Sequence, residues 1–218
     1  MRQLKVGPIS TYGTWGLLLS DKRITTPEIK TYIVDIPGRS GTLDLTDIMG
    51  GVRYNDREVE FILTPIEGNY SQRMEKYKEV VKFFHGKNVY VEEPDRPGES
   101  LLGCWQVSEP NKIAGDLFNF KISCKQVYPF YLTNEVELVE RRITGTGTVE
   151  INYTGENDAT PTVKFTGNGT ISIEGSDVNY NLTRNGMRYS GIVLTPGRNV
   201  FTVTGNGTIT FLYQNQAL

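Results

Sequence analysis

The chain has 218 residues, with 23 lysines and arginines against 25 acidic residues, one histidine and a formal net charge of −2. That near-balance leaves no sequence-wide footprint for nucleic acid or an anionic membrane, so partners are expected to be recognised by shape and local contacts. The length suits one large β domain or two of ordinary size, and either can bury a core without staples. Met1 to Ser10 carries two positive charges but lacks the apolar core of a signal peptide, and no apolar run elsewhere is long enough to cross a bilayer. The expectation is a chain made in a cytosol, with no membrane insertion. Cys104 and Cys124 accordingly read as reduced core residues. The Asn-x-Thr sequons at Asn152, Asn168, Asn181 and Asn206 carry no weight in a chain that is not exported.

In chain order, the first strand pattern with a marked ending is Ile29 to Ile36. It runs into Ile36-Pro37-Gly38-Arg39-Ser40-Gly41-Thr42-Leu43-Asp44-Leu45-Thr46. Pro37 fixes one φ, and Gly38 and Gly41 permit positive φ on either side of Arg39-Ser40, so the chain turns sharply here. A phosphate-binding loop needs a longer glycine spacing that ends in Gly-Lys-Ser/Thr and opens a helix. Here Thr42 to Thr46 alternates like a strand instead. Val59, Phe61 and Leu63 then face one way with Glu58 and Glu60 on the other side, and Phe118, Phe120, Ile122 and Cys124 repeat that pattern opposite Asn119, Lys121, Ser123 and Lys125. Both are half-buried antiparallel strands. Asn88 to Glu92 and Leu101 to Val107 are further strands, and the shared Cys-x-Gln-Val pattern at 104 and 124 suggests neighbours. One segment breaks the period. Between Ser71 and His85, Met74, Tyr77, Val80, Val81 and Phe84 recur at three and four residues, which predicts a helix with Ser71 as N-cap and Gly86 just past its end. Its apolar stripe is expected to pack on a sheet.

Near Val127-Tyr128-Pro129-Phe130-Tyr131 the texture changes. Beyond it only Lys164 remains of the lysines, tryptophan is absent, and Gly, Thr and Asn become dense. The expected domains are residues 1–130 and 131–218. The second part repeats Thr144-Gly-Thr-Gly-Thr148, Thr166-Gly-Asn-Gly-Thr170 and Thr204-Gly-Asn-Gly-Thr208, each before an alternating strand. The unequal spacing argues against a solenoid, and Asn-Gly and Gly-Thr between strand patterns predict tight hairpins. Many short strands with frequent turns indicate a β-sandwich. The fold class is therefore mainly β: an N-terminal domain of antiparallel sheets with one α-helix, then a C-terminal sandwich.

Chemistry finds little support. His85, the single histidine, sits at the predicted helix end, where a cation suits the helix dipole, and no serine stands in a Gly-x-Ser-x-Gly elbow. There is no histidine cluster for zinc. Asp44 with Asp47, Glu58 with Glu60, and Glu92 and Glu93 with Asp95 are local carboxylate groups, yet they read as solvent-face and strand-exit residues rather than a catalytic pair or a calcium site. No catalytic residue, metal or cofactor is predicted, and the chain is not expected to be an enzyme.

Taken with Trp15-Gly16-Leu17-Leu18-Leu19 upstream and Tyr54-Asn55-Asp56-Arg57-Glu58-Val59-Glu60-Phe61 downstream, the glycine-rich turn resembles the N-terminal region of siphophage distal tail proteins, over about the first 130 residues. The resemblance implies a structural protein with a tail-tube-like N-terminal β domain and a galectin-like C-terminal sandwich. It also implies a hexameric ring at the tail tip, made in the host bacterial cytoplasm. The implied partners are the tail tube protein, a tail-associated tip protein and receptor-binding proteins. Trp15, Arg39 and Arg57 are then candidate inter-subunit or axial contacts. Each has an intramolecular alternative: Trp15 as core, Arg57 paired with Asp56 or Glu58. The alternative function is a carbohydrate-binding module with an accessory β domain. Arg184, Asn185, Arg188 and Tyr189 are its candidate lining, although the histidine and tryptophan of galectin sugar sites are missing.

Overall fold

Strands dominate the chain because most of its apolar residues recur at every second position. The computed structural model describes residues 2–38, 40–46, 48 and 52–218. It is mainly β, as expected, and it divides into two units, Met1–Pro129 and Phe130–Leu218.

In the first unit β1 (Lys5–Val6) and β2 (Ile9–Ser10) form a short hairpin that leads into α1 (Thr11–Trp15). Ser10 caps this helix by accepting the Gly13 N–H, and Gly16 ends it in the left-handed region. Five residues are too few to show a 3.6-residue period, which is why the sequence predicted a single helix. Next come β3 (Leu17–Ile24), β4 (Ile29–Lys30), β5 (Ile33–Asp35), β6 (Thr42–Asp44), β7 (Arg53–Tyr54) and β8 (Arg57–Pro65), then α2 (Tyr70–Phe84). The unit closes with β9 (Lys87–Val91), β10 (Glu99–Val107), β11 (Asn111–Ala114) and β12 (Leu117–Val127). The main ladder is antiparallel in the order β10-β12-β8-β3, with β9 also on β10 and β11 on β12. The two Cys-x-Gln-Val strands are neighbours, Gln106 lying opposite Ser123.

The helix α2 begins two residues earlier than predicted, because Asn69 and not Ser71 caps it. The Asn69 side chain accepts the Gln72 N–H and the Gln72 side chain accepts the Asn69 N–H, both at 3.0 Å, satisfying two orphan donors at once. Its Val80 and Phe84 are fully buried, as are Phe61, Leu63, Trp105 and Ile122 on the strands, with Phe120 at 2% exposure. Each such side chain contributes on the order of 1.5–3 kcal/mol, an upper estimate. At the helix end the His85 Nδ1 accepts the Val107 N–H at 3.1 Å, tying α2 to β10. Cys104 differs from expectation. Gly103, Trp105 and Val107 face inward, so Cys104 faces out, whereas Cys124 is buried as expected. Burial pushes the Cys124 thiol up.

The second unit contains β13 (Tyr131–Thr133), β14 (Glu137–Tyr153), β15 (Thr162–Phe165), β16 (Gly169–Ile173), β17 (Tyr180–Asn181), β18 (Met187–Arg188), β19 (Gly197–Tyr213) and β20 (Gln216–Ala217). The spine is β14 against β19, paired from Glu137 opposite Tyr213 to Tyr153 opposite Gly197 without a register shift. On the other edge of β19, β15 sets Phe165 opposite Ile209 and β16 sets Gly169 opposite Gly205. The register is the same, so residues 162–173 behave as one strand with a jog at 166–168. β18 adds to β15, β17 to β16, and β13 pairs with β20. Phe165, Phe201, Phe211, Val163, Val203, Ile171, Ile192 and Leu194 fill the core.

The Thr-Gly-x-Gly-Thr repeats are a correction to the sequence reading. None of the three is a hairpin turn: 166–168 is the jog between β15 and β16, and the repeats at 144–148 and 204–208 lie in the middle of β14 and β19. Register brings all three together, with Gly145 opposite Gly205 and Gly205 opposite Gly169. A Cβ at Gly169 would overlap the Thr204 carbonyl oxygen, and Gly205 sits at φ 142°, so the row holds three strands at backbone contact where the sheet curls.

Candidate assembly interface

Between β3 and β8 the first unit extends a two-stranded arm. β4 pairs with β7 at its root, β5 with β6 further out, and the expected strand from Ile29 to Ile36 is interrupted at Thr31-Tyr32. Gly38 and Gly41 both take positive φ, as the turn requires. The root is anchored by Thr25, whose N–H donates to the Glu58 carbonyl and whose hydroxyl accepts the Glu58 N–H. Farther along, the Leu45 N–H donates to the Tyr32 carbonyl and the Tyr32 N–H to the Thr46 hydroxyl. The Thr46 hydroxyl and N–H both bond the Asp44 carboxylate and hold it below the usual carboxylate range.

The arm's side chains are the unusual part. Ile29, Ile33, Val34 and Ile48 are 52%, 55%, 45% and 79% exposed, with Ile36 and Val52 also open to solvent. Two strands alone have no partner face on which to bury such residues. A run of exposed β-branched side chains on one element marks an interaction surface.

The sequence-predicted contacts lie elsewhere or outside view. Arg39 is outside the described residues, and so is Asp47. Trp15 is 5% exposed, packed on Phe83 and Phe84 with ring centroids at 5.3 and 6.3 Å, and its Nε1 donates to Glu79 at 3.0 Å. Arg57 is 4% exposed, and its guanidinium donates to the Pro129 carbonyl. Both side chains are buried within the first unit. Sequence reasoning missed the arm's aliphatic face because Ile29 to Ile36 alternates like a half-buried strand, and nothing local says that its other half is absent.

Two of the four glycan-lining candidates are hydrogen-bonded within the second unit. Arg184 and Asn185 sit in an exposed turn, Arg188 Nε donates to Thr162 Oγ1 at 3.3 Å, and Tyr189 donates to the Asn181 carbonyl at 2.6 Å. The carboxylate groups are likewise engaged. Glu60 pairs with Lys121 at 2.8 Å, Glu92 with Lys5 at 3.0 Å, and Lys22 bridges Glu93 and Asp95. Among the described residues no three His, Cys, Asp or Glu side chains converge as a metal site.

No family model and no curated protein matches the chain by sequence. Solved structures do share its fold. The crystal structure of the SPP1 Dit (gp 19.1) protein, described as a paradigm of the hub adsorption apparatus in phages infecting Gram-positive bacteria, superposes with a TM-score of 0.66 at 15% identity, over 100% of both chains. Chains of the phage p2 baseplate in its activated conformation, with strontium and with calcium, give TM-scores of 0.53 at 11% and 10% identity, over 100% of this chain and 99% of theirs. At such identities the likeness is one of fold.

Proposed function

We propose that this chain is a phage or prophage distal tail protein. It forms a hexameric ring at the tail tip that joins the tail tube to the baseplate and receptor-binding apparatus, with no catalytic role. The observation that carries this reading is a fold likeness to a phage hub protein that spans the whole of both chains. The aliphatic arm supports it from the chain's own chemistry. In a cyclic assembly one face of each subunit meets a different face of the next, and an arm of exposed Ile29, Ile33 and Val34 is suited to reach across such a contact. On this reading residues 1–130 are the ring-forming, tail-tube-like domain and 131–218 a galectin-like domain that docks other tail components.

Light scattering across a concentration series, with negative-stain images of the same samples, tests the reading. Hollow particles of six 24.5 kDa chains, about 147 kDa, are the expected result. A persistent monomer at high concentration would overturn the ring.

A further inference from the structure

The strand β14 presents an open edge. Among the described residues its only ladder partner is β19, and the pairing runs unbroken over 17 residues. Natural edge strands are guarded by proline, charged side chains, a bulge or brevity; β14 is long and unbulged, and from Ile143 to Val149 it carries neither proline nor charge. On the far edge of β19 the Glu174 N–H donates to the Val200 carbonyl and the Thr166 N–H to the Thr208 carbonyl, so the even-numbered residues of β19 turn away from β14 and, odd pairing with odd, the odd-numbered residues of β14 address β19. The even-numbered residues, Arg142, Thr144, Thr146, Thr148 and Glu150, turn their N–H and C=O groups to the open side.

That edge is close to a palindrome. Reading outward from Thr146, the flanking pairs are Gly145 and Gly147, Thr144 and Thr148, Ile143 and Val149, Arg142 and Glu150. We propose that the second unit pairs with a second copy of this chain, β14 antiparallel to β14, about a two-fold axis at Thr146. In that register each of these pairs becomes a cross-strand contact and occurs twice. Thr144 meets Thr148, and Arg142 meets Glu150 of the other copy. Ile143 and Val149, 3% and 1% exposed and both inward, come side by side because an axis normal to the sheet keeps inner faces inner. Arg142 makes no ion pair within its own chain among the described residues, while Glu150 is held by Arg198 at 3.0 Å and gains a second cation. The neighbouring registers are poorer. Sliding by two residues one way sets Glu140 against Glu150, and the other way sets Arg142 against Asn152. A two-fold contact also closes on itself, so it ends the edge instead of extending it.

The test uses the full chain with Cys104→Ser, leaving the buried Cys124 in place. Thr146→Cys is treated with a short bismaleimide and is expected to give a covalent product of two 24.5 kDa chains, whereas Val178→Cys, 55% exposed on the same unit, is not. Arg142→Glu alone and Glu150→Arg alone are each expected to weaken pairing by about tenfold or more, since each copy then sets like charges opposite one another. An equimolar mixture of the two variants restores it, because both cross-pairs become complementary. Unchanged circular dichroism and melting certify that each variant is folded. No cross-linked product, or charge reversals that leave pairing untouched, would overturn the proposal. Rings of about 147 kDa without the cross-link would sink this contact and keep the ring reading; the cross-link without rings would do the reverse.

Discussion

Gly169 and Lys22 show two different ways in which one residue holds its neighbours. At Gly169 the constraint is steric, because any Cβ meets a backbone oxygen that no rotamer change can move. Gly169→Ala is expected to cost about 2–4 kcal/mol in urea unfolding, in the range of strain and overpacking in a core. A loss below about 1 kcal/mol would show that the strands do not meet so closely. At Lys22 the constraint is electrostatic. Desolvation lowers its pKa, but hydrogen bonds from its ammonium to Asp95 and Glu93 outweigh that and leave it raised. Asp95 is correspondingly lowered, chiefly by the hydrogen bond from Lys22. A carboxyl with a depressed folded pKa adds stability above its ordinary value and loses it as pH falls through the folded one. Lys22→Met should therefore melt earlier than the parent at pH 7, with the gap closing as pH drops below about 4. A gap that stays constant down to pH 3 would count against the bridge.

Elements depend on such residues for where they start and stop. The capping box at Asn69 is a clear case, and Asn69→Ala should lower stability by about 1 kcal/mol, read as a shift in the urea midpoint without a change in slope. The helix itself was legible because Val80 and Phe84 repeat at helical spacing, and the β8 and β12 strands because Val59, Phe61, Leu63, Phe120 and Ile122 alternate. Its cap was not, since Asn69 and Ser71 both offer an oxygen that can accept a backbone N–H and only the path of the chain chooses between them. The Thr-Gly-x-Gly-Thr repeats failed for a related reason. Glycine permits a turn and a close strand crossing alike, and Gly145, Gly205 and Gly169 reveal which only once their strands are in register. Trp15 was legible as core or contact, and the groups it meets in this chain, Phe83 and Glu79, lie more than sixty positions away.

At the scale of the whole molecule, the arm separates assembly from folding. Its aliphatic side chains contribute little to the chain's own core, so replacing Ile33 and Val34 together by Asp should leave the melting temperature within about 2 °C while removing the 147 kDa species. A large loss of stability would instead mean that the arm is packed against its own chain. The pairing of β14 with β19 has a temporal consequence. Sixty residues separate Tyr153 from Tyr213, so on a ribosome adding about 5–20 residues per second, β14 waits about 3–12 s for its ladder partner. Through that interval both of its edges are bare and the first unit is already complete in sequence. The second unit is thus the late-maturing half of the newborn chain, and the half that chaperones have most reason to meet.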